Sequence, residues 1–175
     1  MVARTPSYCP DCGSELDSVE TEGRTRRRCP SCARIVYRNP VPGASAVVVD
    51  GDRVLLVERD IDPGAGTWCD PGGHLEVDEP PAVAAARELE EETGVAVDPD
   101  ALTLVDAVQM APWGEKYIVS VGYAVEREHT TGALSPGTDA RAARFVHRED
   151  LPRLTFAFDY VPARIDRAFA LFDGD

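Results

Sequence analysis

Apolar residues recur along this chain with two different periods. Residues 44–49 (ASAVVV) and 54–58 (VLLVE) are short Val- and Leu-rich runs joined by Asp50, Gly51, Asp52 and Arg53, which predicts two strands and an Asp-Gly hairpin. Residues 80–93 show helical spacing, with prolines confined to the first turn, where a missing N–H costs little. Residues 102–110, 117–126 and 143–146 read as further strands. Residues 159–172 read as an amphipathic helix with Val161, Ile165, Ala168, Phe169 and Phe172 along one side. Hairpins interleaved with helices predict an α/β fold, a mixed sheet covered by helices on both faces.

The first 38 residues break this pattern. They hold four of the five cysteines and a basic cluster, Arg24, Arg26, Arg27 and Arg28. Residues 39–43 (NPVPG) suit a short, stiff connector. The expected organisation is a module over 1–38, a linker over 39–43 and a domain over 44–175. A length of 175 residues with 43% apolar content leaves room for one medium-sized core beside a small module.

The most informative stretch is 72–95, GGHLEVDEPPAVAAARELEEETGV. At about 100° per residue, Glu91 lies roughly 60° to one side of Glu88 and Glu92 roughly 40° to the other, so three carboxylates share a face. Ala82, Ala86 and Leu89 fall on the other side, where they can pack on a sheet. Acids three and four residues apart repel by about 0.2–0.5 kcal/mol per pair, and near a helix C-terminus the macrodipole disfavours them too. Charge alone leaves two readings. One is a solvated acidic face; the other is a site for a hard divalent cation, Mg2+ or Mn2+, whose oxygen shell a phosphate would complete.

Spacing decides between them. Gly73, Glu79, Arg87, Glu88, Leu89, Glu91, Glu92, Gly94 and Val95 fill every fixed position of Gx5Ex7REUxEExGU, U being aliphatic. On these positions the chain, from about residue 44 onward, resembles the Nudix hydrolase superfamily. The resemblance implies a Nudix-type α/β/α sandwich around a mixed β-sheet, preceded by a small zinc ribbon, and metal-dependent hydrolysis of a pyrophosphate bond. It implies Glu88, Glu91 and Glu92 as ligands of a catalytic Mg2+ or Mn2+, the Gly73 carbonyl as a further ligand, Arg87 as the residue that orients a carboxylate, and Glu79 as a loop brace. In that chemistry the cation neutralises the pyrophosphate and acidifies a water, whose proton a carboxylate accepts. Related enzymes draw another ligand or base from a downstream loop. Asp139 falls where they carry an acidic ligand and Glu115 is the second choice, a surface acid being the alternative for each. Asp70 stands before the Pro-Gly-Gly where the family usually has an apolar residue, a departure that bears on local packing.

Cys9, Cys12, Cys29 and Cys32 form CPDC and CPSC knuckles separated by 16 residues, within the C-x2-C-x15–20-C-x2-C frame of zinc sites. Four protein ligands leave no open position, so Zn2+ there would be structural and would fold a segment too small for a core of its own. Two disulfides are the alternative. Cys69 is expected to pack as a small apolar residue. His74 either touches substrate or is incidental.

The formal charge of −13 disfavours non-specific binding to nucleic acid or anionic lipid. The basic cluster at 24–28 then reads as a hydrated hairpin strand, with nucleic-acid contact as the alternative. The 17 Asp and 14 Glu stand against 17 Arg and the single Lys116, which suits either a halophilic surface or an acidic mesophilic enzyme. No run approaches the roughly 20 apolar residues of a membrane span, and MVARTPSYCP lacks the core of a signal peptide, so a cytoplasmic location is the expectation. The expected partner is a small nucleotide, with no membrane and no nucleic acid. Many relatives form dimers, which leaves a homodimer open.

A ribbon ahead of a Nudix box resembles NADH pyrophosphatases and ADP-ribose pyrophosphatases. The former carry SQPWPFPxS after the box, whereas residues 108–117 here read VQMAPWGEKY. ADP-ribose or a similar nucleotide sugar is therefore the expected substrate, with NADH and nucleoside triphosphates as alternatives. Arg59 and Lys116 are candidate phosphate contacts, and Trp113 or Tyr117 a candidate stacking partner for a base; surface or core roles compete for each. A ligand-sensing regulator on the same fold is the competing class of function, and the intact Glu88, Glu91 and Glu92 speak for the enzyme.

Overall fold

The computed structural model describes residues 3–62, 64–112, 114–137 and 140–173. The chain divides into two compact units, one made of Met1–Val41 with Ala111–Ile118, the other of Pro42–Met110 with Val119–Asp175.

In the first unit, β1 (Asp17–Thr21), β2 (Arg24–Arg28) and β3 (Ile35–Val36) form an antiparallel sheet in that order. Glu22 and Gly23 turn the first hairpin with φ of 53° and 71°, the left-handed pair that a two-residue hairpin loop favours. The basic segment is thus a hairpin strand, exposed at Arg24 and Arg28 and half-buried at Arg26 and Arg27, with Asp17 opposite Arg28 and Glu22 accepting from Arg26 at 3.3 Å. Its apolar cluster is small, consisting of Cys9, Leu16, Cys29 and Val36. A core of that size needs a cross-link or a metal to hold it.

The remaining elements are β4 (Val41–Asp50), β5 (Arg53–Arg59), β6 (Trp68–Cys69), β7 (Gly72–His74), α1 (Pro81–Thr93), β8 (Ala96–Val97), β9 (Thr103–Gln109), β10 (Ile118–Glu126), β11 (Thr130–Thr131), β12 (Ala140–His147) and α2 (Val161–Phe172). The main sheet runs β12-β5-β4-β10-β9, with β6 added to β5 and β7 to β4, while β8 and β11 pair separately.

Alternation along β4 assigns the two faces. Ala44, Ala46 and Val48, joined by Leu55, Val95 and Val125, pack on Ala84, Ala85 and Leu89 of α1. Val47 and Val49, joined by Val54, Leu56 and Ala124, pack on Val161, Ile165, Ala168 and Phe169 of α2. The helices therefore cover opposite faces, and the second unit is the expected α/β/α sandwich. Helix α1 ends at Gly94, whose φ of 69° turns the chain while its N–H caps the Glu90 carbonyl.

Several boundaries differ from the sequence reading. Strand β4 begins at Val41, ahead of the apolar run, and its Gly43 and Ala44 pair with His74 and Gly73. The packed stripe of α1 centres on Ala85 and Leu89, leaving Ala82 half-buried. Strand β12 is longer than its apolar run because its first residue, Ala140, pairs with Arg59. Among the described residues, no helix is long and apolar enough to cross a membrane.

Candidate active site

Burial of the three acids on α1 follows their angle from the packed stripe. Measured from Leu89, Glu92 lies about 60° away, Glu88 about 100° and Glu91 about 160°, all in the same direction. Glu92 is accordingly mostly buried, the Glu88 side chain is 16% exposed and that of Glu91 59%. A single helical surface thus offers two largely desolvated carboxylates, Glu92 and Glu88, and one hydrated carboxylate, Glu91.

The turn between β6 and β7 lies against the buried end of this surface. The Gly72 N–H donates to the Glu92 carboxylate at 3.0 Å. A Cβ on Gly73 would stand 2.3 Å from Glu88 Oε1, and one on Gly72 would stand 2.5 Å from the Ala44 carbonyl, so only glycine allows these approaches. Burial pushes the Glu92 carboxyl up to about 7; the Gly72 amide pulls the other way and the charge on Glu88 adds to the rise. Burial raises Glu88 as well, against the pull of Arg87.

Arg87 uses all five of its N–H donors here. Nε and one terminal nitrogen make a fork on Glu79, both bonds at 2.9 Å, and that nitrogen also donates to the His74 carbonyl at 3.0 Å. The other terminal nitrogen donates to Glu88 at 2.9 Å and to Glu91 at 3.1 Å. The hydrogen bonds from Arg87 hold the Glu79 carboxyl below its usual range, and Glu79 accepts the Glu76 N–H at 3.2 Å, which ties the loop ahead of α1 to the helix.

The three acids do not converge on one point. Among the described residues, ligand atoms lie within 4.8 Å of one another in two groups, the four cysteines and Glu126, Glu128 and His129, but not in Glu88, Glu91 and Glu92. One Arg87 nitrogen takes up Glu88 and Glu91, and the Gly72 amide takes up Glu92. The donor set is nonetheless all oxygen. Two of its carboxylates are desolvated, an arrangement that suits a hard divalent cation such as Mg2+ or Mn2+.

Arg59 ends β5 with its guanidinium 5.5 Å from the Phe158 ring, and its positive charge lowers both Glu92 and Cys69, which brings it to the site. Lys116 and Tyr117 belong to the 111–118 segment of the first unit, where Glu115 accepts from the Thr5 N–H and from Arg38. Trp113 and Asp139 lie outside the described residues. The chain before Asp139 is held by the Gly137 N–H, which donates to the Glu92 carbonyl at 2.9 Å. Cys69 is buried and its thiol is pushed up to about 12, chiefly by that burial, as for a packing residue.

One buried charge was not anticipated from the sequence. Arg164 on α2 is fully buried and bonded to both Asp70 and Asp106. It sits about 60° from Val161 and about 40° from Ala168, inside the apolar stripe, so an arginine on the packed side was the available signal.

In the first unit the Sγ atoms of Cys9, Cys12, Cys29 and Cys32 lie within 4.8 Å of one another. The two knuckles close alike, Cys9 N–H donating to Ser14 O and Cys29 N–H to Arg34 O, both at 2.8 Å. The thiols are free, with Cys12 and Cys29 Sγ 3.5 Å apart against the roughly 2.05 Å of a disulfide. Hydrogen bonding to Ser14 lowers the Cys12 thiol to about 6, while hydrogen bonding to Cys12 and Cys29 pushes the Cys32 thiol up to about 12, so these thiols share their protons.

Carboxylates gathered beside a glycine pair can hold cations against phosphate oxygens while water attacks, which is the work of a hydrolase acting on acid anhydrides, and this chain is an enzyme of that class. The NUDIX domain model matches residues 39–166, and the chain belongs to the Nudix family. It is 29% identical over 122 residues to the ADP-ribose pyrophosphatase of Methanocaldococcus jannaschii, covering 69% of this chain and 70% of that protein. It is 31% identical over 119 residues to phosphatase NudJ of Escherichia coli, covering 66% and 73%. A NUDIX hydrolase from Nitrosomonas europaea shares the fold over 97% of this chain and 94% of its own, with a TM-score of 0.77 at 24% identity. The NUDIX domain of Shewanella oneidensis NrtR complexed with ADP ribose shares it over 82% and 93%, with a TM-score of 0.68 at 20% identity.

Proposed function

We propose that the chain hydrolyses the pyrophosphate bond of a nucleoside diphosphate linked to another moiety, with ADP-ribose or a similar nucleotide sugar as substrate. The observation that carries this reading is the pair of desolvated carboxylates, Glu88 and Glu92, set against the Gly72–Gly73 backbone. Glu88, Glu91, Glu92 and the Gly73 carbonyl would hold Mg2+ or Mn2+. When bound, the cation supplies positive charge to the diphosphate and acidifies water. Arg87 holds Glu88 and Glu91 on one side and Glu79 on the other, so it orients the carboxylates and fixes the loop that carries Gly73. Glu91 is the most exposed of the three and has room to turn from Arg87 toward a cation. Arg59, whose charge Glu92 already feels, would meet a phosphate, and Asp139 stands as a candidate further ligand of the cation. The substrate choice is supported by the ADP-ribose pyrophosphatase and the ADP-ribose-bound domain among similar proteins.

Cys9, Cys12, Cys29 and Cys32 would hold one structural Zn2+, a choice supported by four thiols and the spacing of the knuckles. The test of the activity is incubation with Mg2+ and ADP-ribose, NADH, nucleoside triphosphates or dinucleoside polyphosphates, with products resolved by chromatography. Release of AMP from ADP-ribose is expected. Turnover of none of these compounds would overturn the reading.

A further inference from the structure

Arg164 is a poor choice for stability alone. It is completely buried in α2, and its pairing with Asp70 leaves Asp70 Oδ1 buried with no hydrogen-bond partner among the described residues. Buried pairs of this kind are commonly matched or bettered by apolar residues of similar volume. The sandwich is nonetheless shaped around it. Strand β10 places Gly122 opposite Asp106 of β9, and a Cβ on Gly122 would stand 2.2 Å from Arg164 Nε, so the guanidinium crosses the strand at its glycine and reaches Asp106 at 2.8 Å. Ser45 Oγ accepts from Arg164 at 2.6 Å and donates to Asp70, which receives Arg164 directly at 3.1 Å.

The position of Asp70 explains what such an anchor can do. Asp70 sits on the α2 side, two residues before the Gly72 N–H that donates to Glu92 of α1. Pro71 between them accepts the Ala46 N–H at 3.0 Å, and Gly72 pairs with Ser45, the residue that bridges Asp70 and Arg164. Three consecutive residues thus cross from one face of the sheet to the other, with Arg164 gripping the first and Glu92 receiving the third. We propose that Arg164 and Asp70 are a positioning pair that fixes the crossing of residues 70–72, and thereby aims the Gly72 amide and the Glu92 carboxylate. The catalytic part of this role rests on the reading that Glu92 belongs to the active site; the positioning of Gly72 does not.

The experiment replaces the pair by apolar residues, Asp70→Leu with Arg164→Met, while Asp106 keeps its second partner, Arg167, at 2.8 Å. Amide hydrogen exchange at Gly72, read by NMR in the full chain, is expected to speed up by about ten-fold or more while the melting temperature holds. In steady-state assays kcat is expected to fall by about ten-fold or more with KM little changed, as for a misplaced catalytic group. The isosteric Asp70→Asn variant tests the same point should the double variant not fold, and faster Gly72 exchange is again expected. Exchange at Gly72 equal to wild type in a folded variant overturns the proposal. A wild type inactive on every nucleotide sinks the functional reading instead, and Gly72 exchange still decides the role of the pair.

Discussion

At the scale of single residues, Glu92 and the two glycines carry the sharpest consequences. The folded-state value of Glu92, about 7, lies above the ordinary 4.5, so the fold favours the protonated acid. Its contribution is fully present below the ordinary value and is lost as pH rises through the folded one, by on the order of 3 kcal/mol for a shift of this size. In chelating buffer the melting temperature should therefore fall between about pH 4.5 and about pH 7. Glu92→Gln, which mimics the protonated form, should flatten that decline and abolish turnover. A decline identical in the variant would contradict the assignment. Glycines 72 and 73 should part company on substitution. Alanine at 73 meets the Glu88 carboxylate first, the end of a side chain that can turn aside, so it should cost less stability than at 72 yet lower turnover by about 100-fold. Alanine at 72 meets the Ala44 backbone and should cost about 1–3 kcal/mol in urea unfolding. Equal stability losses at the two positions would contradict the geometry.

At the scale of elements, α1 was legible because its carboxylates, arginine and glycine sit in a rigid frame where spacing fixes geometry. Strands β4 and β5 were legible from their apolar runs. The crossing through β6 and β7 was not, because strands of two and three residues have no alternation to read and exist only through their partners on β5 and β4. The Asp70–Arg164 pair was half visible, Asp70 as a departure ahead of the glycine pair, but its partner lies 94 residues away and belongs to no motif. Helix α2 holds one face of the sheet through residues such as Phe169, which is 1% exposed. Phe169→Ala should cost about 3–5 kcal/mol in urea unfolding. A loss under about 1 kcal/mol would mean that α2 does not hold the face as described. In the first unit, Cys29→Ser should remove a zinc content near one equivalent per chain and unfold β1–β3, as read by hydrogen exchange; a folded, metal-free variant would count against a structural Zn2+.

At the scale of the whole molecule, the charge of −13 is spread over a chain with a single lysine, and self-repulsion weakens the compact state. Raising salt from about 0.1 to about 1 M shortens the screening length from about 10 to about 3 Å and should raise the melting temperature; an unchanged value would mean that self-repulsion does not weaken the fold. Everything said of catalysis depends on Glu88, Glu91 and Glu92 receiving a divalent cation beside Gly72 and Gly73. The most direct measurement is Mn2+ titration followed by NMR. Paramagnetic broadening should strike the Gly72 and Gly73 amides first in the wild type and should be lost there in Glu92→Gln. Broadening that spares both glycines, or that begins instead around Glu126, Glu128 and His129, would contradict the account.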